Sequence, residues 1–226
     1  MKSLFATALL LLSGAASAAA PIASDSVLQL TDRFTNQDGR NFQLPERRGH
    51  VQVVSMFYSS CRFVCPLLID SGLGIDHALS AAERARLRVL LVSMDPVRDT
   101  VPVLKALATK RKLDLQRWTL ARTDKAGVRK LAALLDIRYR QLADGEFNHT
   151  SVLILLDAQG RILARTEKLG ATPDPAFLAA VRKALRTPAG QYVYSTLTQF
   201  LRTSVPTSPF WKSASFSSPV QRFDKA

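Results

Sequence analysis

The stretch Phe57-Tyr58-Ser59-Ser60-Cys61-Arg62-Phe63-Val64-Cys65-Pro66 holds both of the protein's cysteines. Ahead of it, His50-Val51-Gln52-Val53-Val54-Ser55-Met56-Phe57 reads as a buried strand. Behind it, Leu67-Leu68-Ile69-Asp70-Ser71-Gly72-Leu73 opens a helix-like run. Pro66 disfavours helical backbone at the residue before it and suits a first helical position. The helix is therefore expected over about 66–79, with Cys61 and Cys65 in the loop at its N-terminus. The positive end of the helix dipole, together with Arg62, favours thiolate there. A disulfide closing so short a loop removes little chain entropy, so the pair is a poor structural staple. Three intervening residues let both sulfurs face one way, either to close a reversible disulfide or to grip one ion.

Working outward, residues 27–34 alternate weakly and suggest a strand. Asn36-Gln37-Asp38-Gly39 is a turn signal, and 40–44 would return as the second strand of a hairpin. On the other side, Ser80-Ala81-Ala82-Glu83 fits a capping box. Residues 88–94 form a near-continuous apolar run, as expected of a parallel strand covered on both faces. A loop at 95–100 leads into a helix over 101–111, a short strand at 117–120, and a helix from Asp124 to about Leu135 with apolar positions at helical spacing. Strands follow at 137–142 and 152–157; the second turns through Ala158-Gln159-Gly160 into 161–166, and a last helix spans 174–185. The order predicts an α/β fold: a central mixed β-sheet flanked by helices, with an N-terminal β-hairpin. With a cysteine pair at the first β-α turn, this is the plan of a thioredoxin-like domain, placed at 25–187. Residues 188–226 form a tail rich in Ser, Thr, Pro and aromatics, to which the sequence assigns no role.

The chain has 226 residues, 47% of them hydrophobic, and a formal charge of +13. A core of ordinary size can form, and the surface suits an acidic protein, nucleic acid or anionic lipid. Lys2, a short apolar run and Ala16-Ser17-Ala18 make a secretory signal cut after Ala18, at 1–18. The expected location is the periplasm; the alternative is an uncleaved N-terminal segment anchored in the inner membrane. Export sets nucleic acid aside, leaves the membrane a peripheral role, and puts the two thiols in an oxidising compartment.

A metal site needs a third donor. His50 opens the Cys-bearing strand at its far end, and His77 lies late in a helix. His149 lies in Asp144-Gly145-Glu146-Phe147-Asn148-His149-Thr150-Ser151, the loop that packs against the Cys loop in a thioredoxin-like fold. Oxidoreductases of that fold usually place a cis-proline there; this chain presents His149. Two thiolates and an imidazole suit Cu(I) and, with small rearrangement, Cu(II). Asp95 or another carboxylate as a fourth donor would suit zinc, and the residues alone leave both ions open.

At this point the chain resembles the Sco/SenC family, copper chaperones of cytochrome c oxidase assembly. The family's C-x-x-x-C-P motif matches Cys61-Arg62-Phe63-Val64-Cys65-Pro66, its aspartate-proline loop matches Ser93-Met94-Asp95-Pro96-Val97-Arg98-Asp99-Thr100, and its distal histidine matches Asn148-His149-Thr150. The resemblance implies one copper ion held by Cys61, Cys65 and His149. It implies delivery of copper, or of reducing equivalents, to the binuclear copper centre of oxidase subunit II or another copper acceptor, with an upstream periplasmic copper donor. A thiol-disulfide oxidoreductase, in which Cys61 attacks and Cys65 resolves, uses the same motif and would not need His149. A thiol peroxidase gains only from the fold.

Overall fold

The computed structural model describes residues 21–187, apart from the backbone of residues 62 and 63 and the side chains of residues 62–65. The expected leader at 1–18 and the tail at 188–226 lie outside the described residues.

A hairpin of β1 (Phe34–Asn36) and β2 (Asn41–Phe42) comes first. Next come β3 (Val51–Phe57), α1 (Val64–Ala78), α2 (Ala81–Arg86), β4 (Leu87–Ser93), α3 (Val101–Lys110), β5 (Trp118–Arg122) and α4 (Lys125–Leu134). The chain ends its described part with β6 (Tyr139–Gln141), β7 (Phe147–His149), β8 (Leu153–Leu156), β9 (Ile162–Thr166) and α5 (Pro175–Arg186). Seven strands form one sheet in the order β2-β1-β5-β4-β3-β8-β9. β3, β4 and β5 run parallel, and β3 pairs antiparallel with β8 through Val53↔Leu155. The expected mixed sheet flanked by helices is what the chain forms. β3 is buried at every position, and it delivers the Cys loop from near the middle of the sheet.

Several local expectations change. Residues 27–34 are not a strand: Val27–Gln29 is a 3₁₀ turn and β1 begins only at Phe34. The Ser26 hydroxyl accepts the Leu28 N–H, and the Val27 N–H donates to the Gly160 carbonyl at 2.9 Å, so Val27 and Leu28 are buried side by side instead of alternating. Helix α1 starts at Val64, two residues before Pro66, which puts Cys65 in its first turn. The first four N–H groups of a helix have no intrahelical acceptor, so a proline in that turn removes no bond. Residues 137–142 do not join the main sheet. Within them β6 pairs only with β7 in a separate two-stranded sheet, and His149 ends β7 instead of lying in a loop.

Helix α1 is held to the sheet by a buried acid. Asp76 accepts two hydrogen bonds from Arg117, at 2.8 and 3.0 Å, and one from the Trp118 indole N–H at 2.9 Å. Trp118 in turn fills the space above Gly72, where an added Cβ would lie 2.5 Å from the ring.

Candidate metal centre

The loop after β3 is clamped to the loop after β4. The backbone N–H of Ser59 donates to Asp99 at 3.0 Å, and the hydroxyls of Ser59 and Ser93 donate to the same carboxylate. Asp99 is fully buried, so its charge is stabilised by these donors and not by water. Asp95 is engaged at both oxygens by Arg98: the backbone N–H reaches Oδ1 at 3.2 Å and the guanidinium holds Oδ2. Arg98 also donates to the Gly145 carbonyl and lies 3.7 Å from Glu146 Oε1. The β3, β4 and β6–β7 loops therefore meet at one end of the sheet.

Tyr58 sits where they meet. Its hydroxyl donates to Glu146 Oε2 at 3.0 Å, accepts from the Phe147 N–H at 3.5 Å, and hydrogen-bonds the Cys61 side chain. Its ring packs 5.1 Å from that of Phe147 and meets the His149 imidazole edge-on at 5.8 Å. Burial pushes the Tyr58 phenol above its usual pKa, and the bonds to Cys61 and Glu146 act in the same direction. One side chain thus touches both Cys61 and His149.

His149 is half-buried, and its Nδ1 lies 3.1 Å from the Thr150 carbonyl oxygen. A carbonyl can only accept, so Nδ1 carries the proton and Nε2 keeps its lone pair. A metal-ligating histidine that binds through Nε2 donates its other ring N–H in this way. Burial lowers the imidazole pKa, with the Thr150 carbonyl partly opposing, so the neutral donor form is favoured.

Of the three expected ligands, Cys61 and His149 each contact Tyr58, from different sides. Cys65 follows in the first turn of α1, and its sulfur lies outside the described residues. Among the described residues no three His, Cys, Asp or Glu side chains gather to hold an ion. Asp95, the carboxylate considered for a zinc site, is occupied by Arg98. His50 is exposed just ahead of β3, at the end of the strand opposite Tyr58, and His77 is exposed in the last turn of α1. Sequence reasoning missed Tyr58 and Asp99. A tyrosine continuing a buried strand needs a partner for its hydroxyl, and that signal was present at Tyr58.

The SCO1/SenC family model matches residues 26–186. The chain belongs to the SCO1/SenC family. A curated relative, the SCO1 protein homolog of Bacillus subtilis (strain 168), is 24% identical over 154 residues, covering 67% of this chain and 79% of the relative. Among solved structures, Bradyrhizobium japonicum ScoI with copper bound matches with a TM-score of 0.58 at 19% identity, over 68% of this chain and 96% of that one. BsSco, a member of the Sco family of cytochrome c oxidase assembly proteins with a disulfide switch, matches with a TM-score of 0.58 at 22% identity, over 69% and 93%. At these identities the structural likeness establishes the shared thioredoxin-like Sco fold. In this Sco chain, the β3–α1 turn and the end of β7 are the two parts of that fold that Tyr58 joins.

Proposed function

We propose that the chain is a copper-binding metallochaperone that holds one Cu(I) or Cu(II) ion through Cys61, Cys65 and His149. It delivers the ion to the binuclear copper centre of cytochrome c oxidase subunit II. The observation that carries this reading is the pairing of Cys61 and His149 on Tyr58, with His149 Nε2 left as a donor. Family membership and the copper-bound state of Bradyrhizobium japonicum ScoI support it. Two thiolates and one neutral imidazole form a soft, low-coordinate set that binds copper yet leaves a face open for an acceptor thiol. Delivery then proceeds by ligand exchange, with the imidazole as the replaceable donor. The protein works in the periplasm after cleavage behind Ala18, a reading supported by the leader's sequence alone.

The reduced protein is titrated with Cu(I) against a competing chelator. One ion per chain is expected, with affinity falling at least about tenfold in His149→Ala, as for other losses at a metal site. Weak binding that is unchanged in His149→Ala overturns the reading.

The alternative, a thiol-disulfide oxidoreductase, is favoured by the placement of Cys65 in the first turn of α1. In it the Cys61 thiolate attacks an acceptor disulfide and Cys65 resolves the mixed disulfide. Two electrons pass to the acceptor, and the chain is left as the Cys61–Cys65 disulfide. Equal rates of disulfide reduction by wild type and His149→Ala select this reading.

A further inference from the structure

We propose that the groove beside His149 docks an acidic, extended segment of the protein that receives copper, with Arg138 and Arg140 as its two anchors. This deepens the copper-carrier reading and rests on it for the identity of the acceptor. The groove has a volume of about 880 Å³ and runs past His149, Leu67, Arg138, Arg140, Glu167 and Leu169. Leu67, at the start of α1, is 42% exposed. A partner seated here would therefore meet apolar surface and the imidazole together.

Charge decides what kind of partner fits. The carboxylates of the loops that meet at Tyr58 are already committed inside the protein: Asp95 to Arg98, Asp99 to Ser59 and Ser93, Glu146 to Tyr58 and Arg98. Arg138 and Arg140 are exposed and take part in no ion pair among the described residues. Glu167 is the single carboxylate in the groove's lining, so two cations face one anion. Strand geometry adds a spacing. Arg140 belongs to β6 and Arg138 immediately precedes it, two residues away, while Tyr139 between them packs toward Phe147. Alternate residues of a strand share a face and sit about 7 Å apart. Carboxylates at alternate positions of an extended partner repeat at the same interval. The excess positive charge of the whole chain draws such a segment in, and the two arginines set where it stops.

The test uses the full chain and two labelled peptides. Each carries a pair of cysteines followed by Glu-Ser-Glu in one and Gln-Ser-Gln in the other. Binding to the reduced apo-protein is read by fluorescence anisotropy at low and high salt. Wild type is expected to prefer the Glu peptide about tenfold, the scale of two partly screened charge pairs, with the preference shrinking as salt rises. Arg138→Gln/Arg140→Gln abolishes the preference. Arg86→Gln/Lys183→Gln removes the same charge from exposed positions on α2 and α5 and keeps it. Preference retained in the first variant, or lost equally in both, overturns the proposal. Cu(I) loading of each variant is measured separately. A chain that takes no Cu(I) but keeps the arginine-dependent preference refutes the copper reading and leaves this surface standing. A chain that loads Cu(I) without any preference refutes the surface alone.

Discussion

At Tyr58 one hydroxyl serves three groups from two parts of the chain: the Cys61 side chain on one side, and the Glu146 carboxylate and Phe147 N–H on the other. Tyr58→Phe keeps the ring contacts with Phe147 and His149 and deletes only these bonds. The expected loss is about 0.5–1.5 kcal/mol in denaturant unfolding, the net worth of a hydrogen bond whose partners are only part-buried. The sulfur-to-copper absorption band of the Cu(II) complex should shift with it; an unmoved band would mean that the hydroxyl does not act on the thiolate. His149 gives a pH signature in the apo-protein. Its ordinary pKa is 6.5, and burial moves it down in the fold. Between the two values the unfolded chain binds the proton first, so stability is complete above 6.5 and falls as pH falls through the lower folded value. The imidazole resonance in apo-protein should titrate below 6.5, and His149→Gln should flatten the acid-side loss of stability. The thiols and the imidazole were legible in sequence because their residue types announce donor chemistry. At Tyr58 the need for a hydroxyl partner was legible but its place at the site was not, because an aromatic at the end of an apolar strand looks the same whether its hydroxyl is structural or sits on a ligand.

Helix α1 shows how an element's placement follows from what it lacks. Gly72 is helical and not at positive φ, so in an open helix Gly72→Ala would stabilise by about 1 kcal/mol. Here the new Cβ would lie 2.5 Å from Trp118, a ring that is 1% exposed and pinned through its indole N–H to Asp76. Overpacking costs about 1–3 kcal/mol, so the sign reverses and Gly72→Ala is expected to destabilise. In a Trp118→Leu background the same change should turn neutral or stabilising, and a double-mutant cycle on urea midpoints reads the coupling. If Gly72→Ala destabilises equally in both backgrounds, the ring is not the obstacle. Elements with long apolar runs, β3 and β4 above all, were readable because burial on both faces leaves one pattern. The expected strand at 27–34 failed because Ser26 offers a local hydrogen bond that diverts the backbone into a 3₁₀ turn. The start of α1 was misplaced because the proline ring's clash with the residue before it disfavours helical backbone there without forbidding it, and in the first turn the missing N–H removes no bond.

Over the whole molecule the candidate site joins two bodies of unequal stability. Cys61 follows β3, which is paired along both edges inside the seven-stranded sheet. His149 ends a hairpin of two three-residue strands, β6 and β7, that pair only with each other. A lone two-stranded hairpin is marginal in water, and this one is tied to the body by Arg98 and by the hydroxyl and ring of Tyr58. Sequence could not show this division, since strands so short carry little periodicity and their pairing is a long-range property. In the apo-protein the hairpin should open locally at well below the cost of global unfolding. A copper ion bound to both Cys61 and His149 makes that opening break a metal bond. Opening the hairpin then costs at least about 1.4 kcal/mol more, the tenfold affinity assigned to His149, while global unfolding, which releases the ion, costs about 4 kcal/mol more with free Cu(I) at a thousandfold its Kd. Hydrogen exchange measures the effect at two amides, Thr150, which donates to the Arg138 carbonyl at 2.9 Å, and Leu142, which donates to the Glu146 carbonyl at 2.7 Å. Both are expected to exchange early in apo-protein, to slow on loading, and to stay fast in loaded His149→Ala, where sulfur alone holds the ion. Removing copper with a chelator should restore the early exchange. If loading leaves both hairpin amides as fast as in apo-protein while β3 slows, His149 does not bind the metal, because stabilisation through the sulfurs alone has no route to β6 and β7.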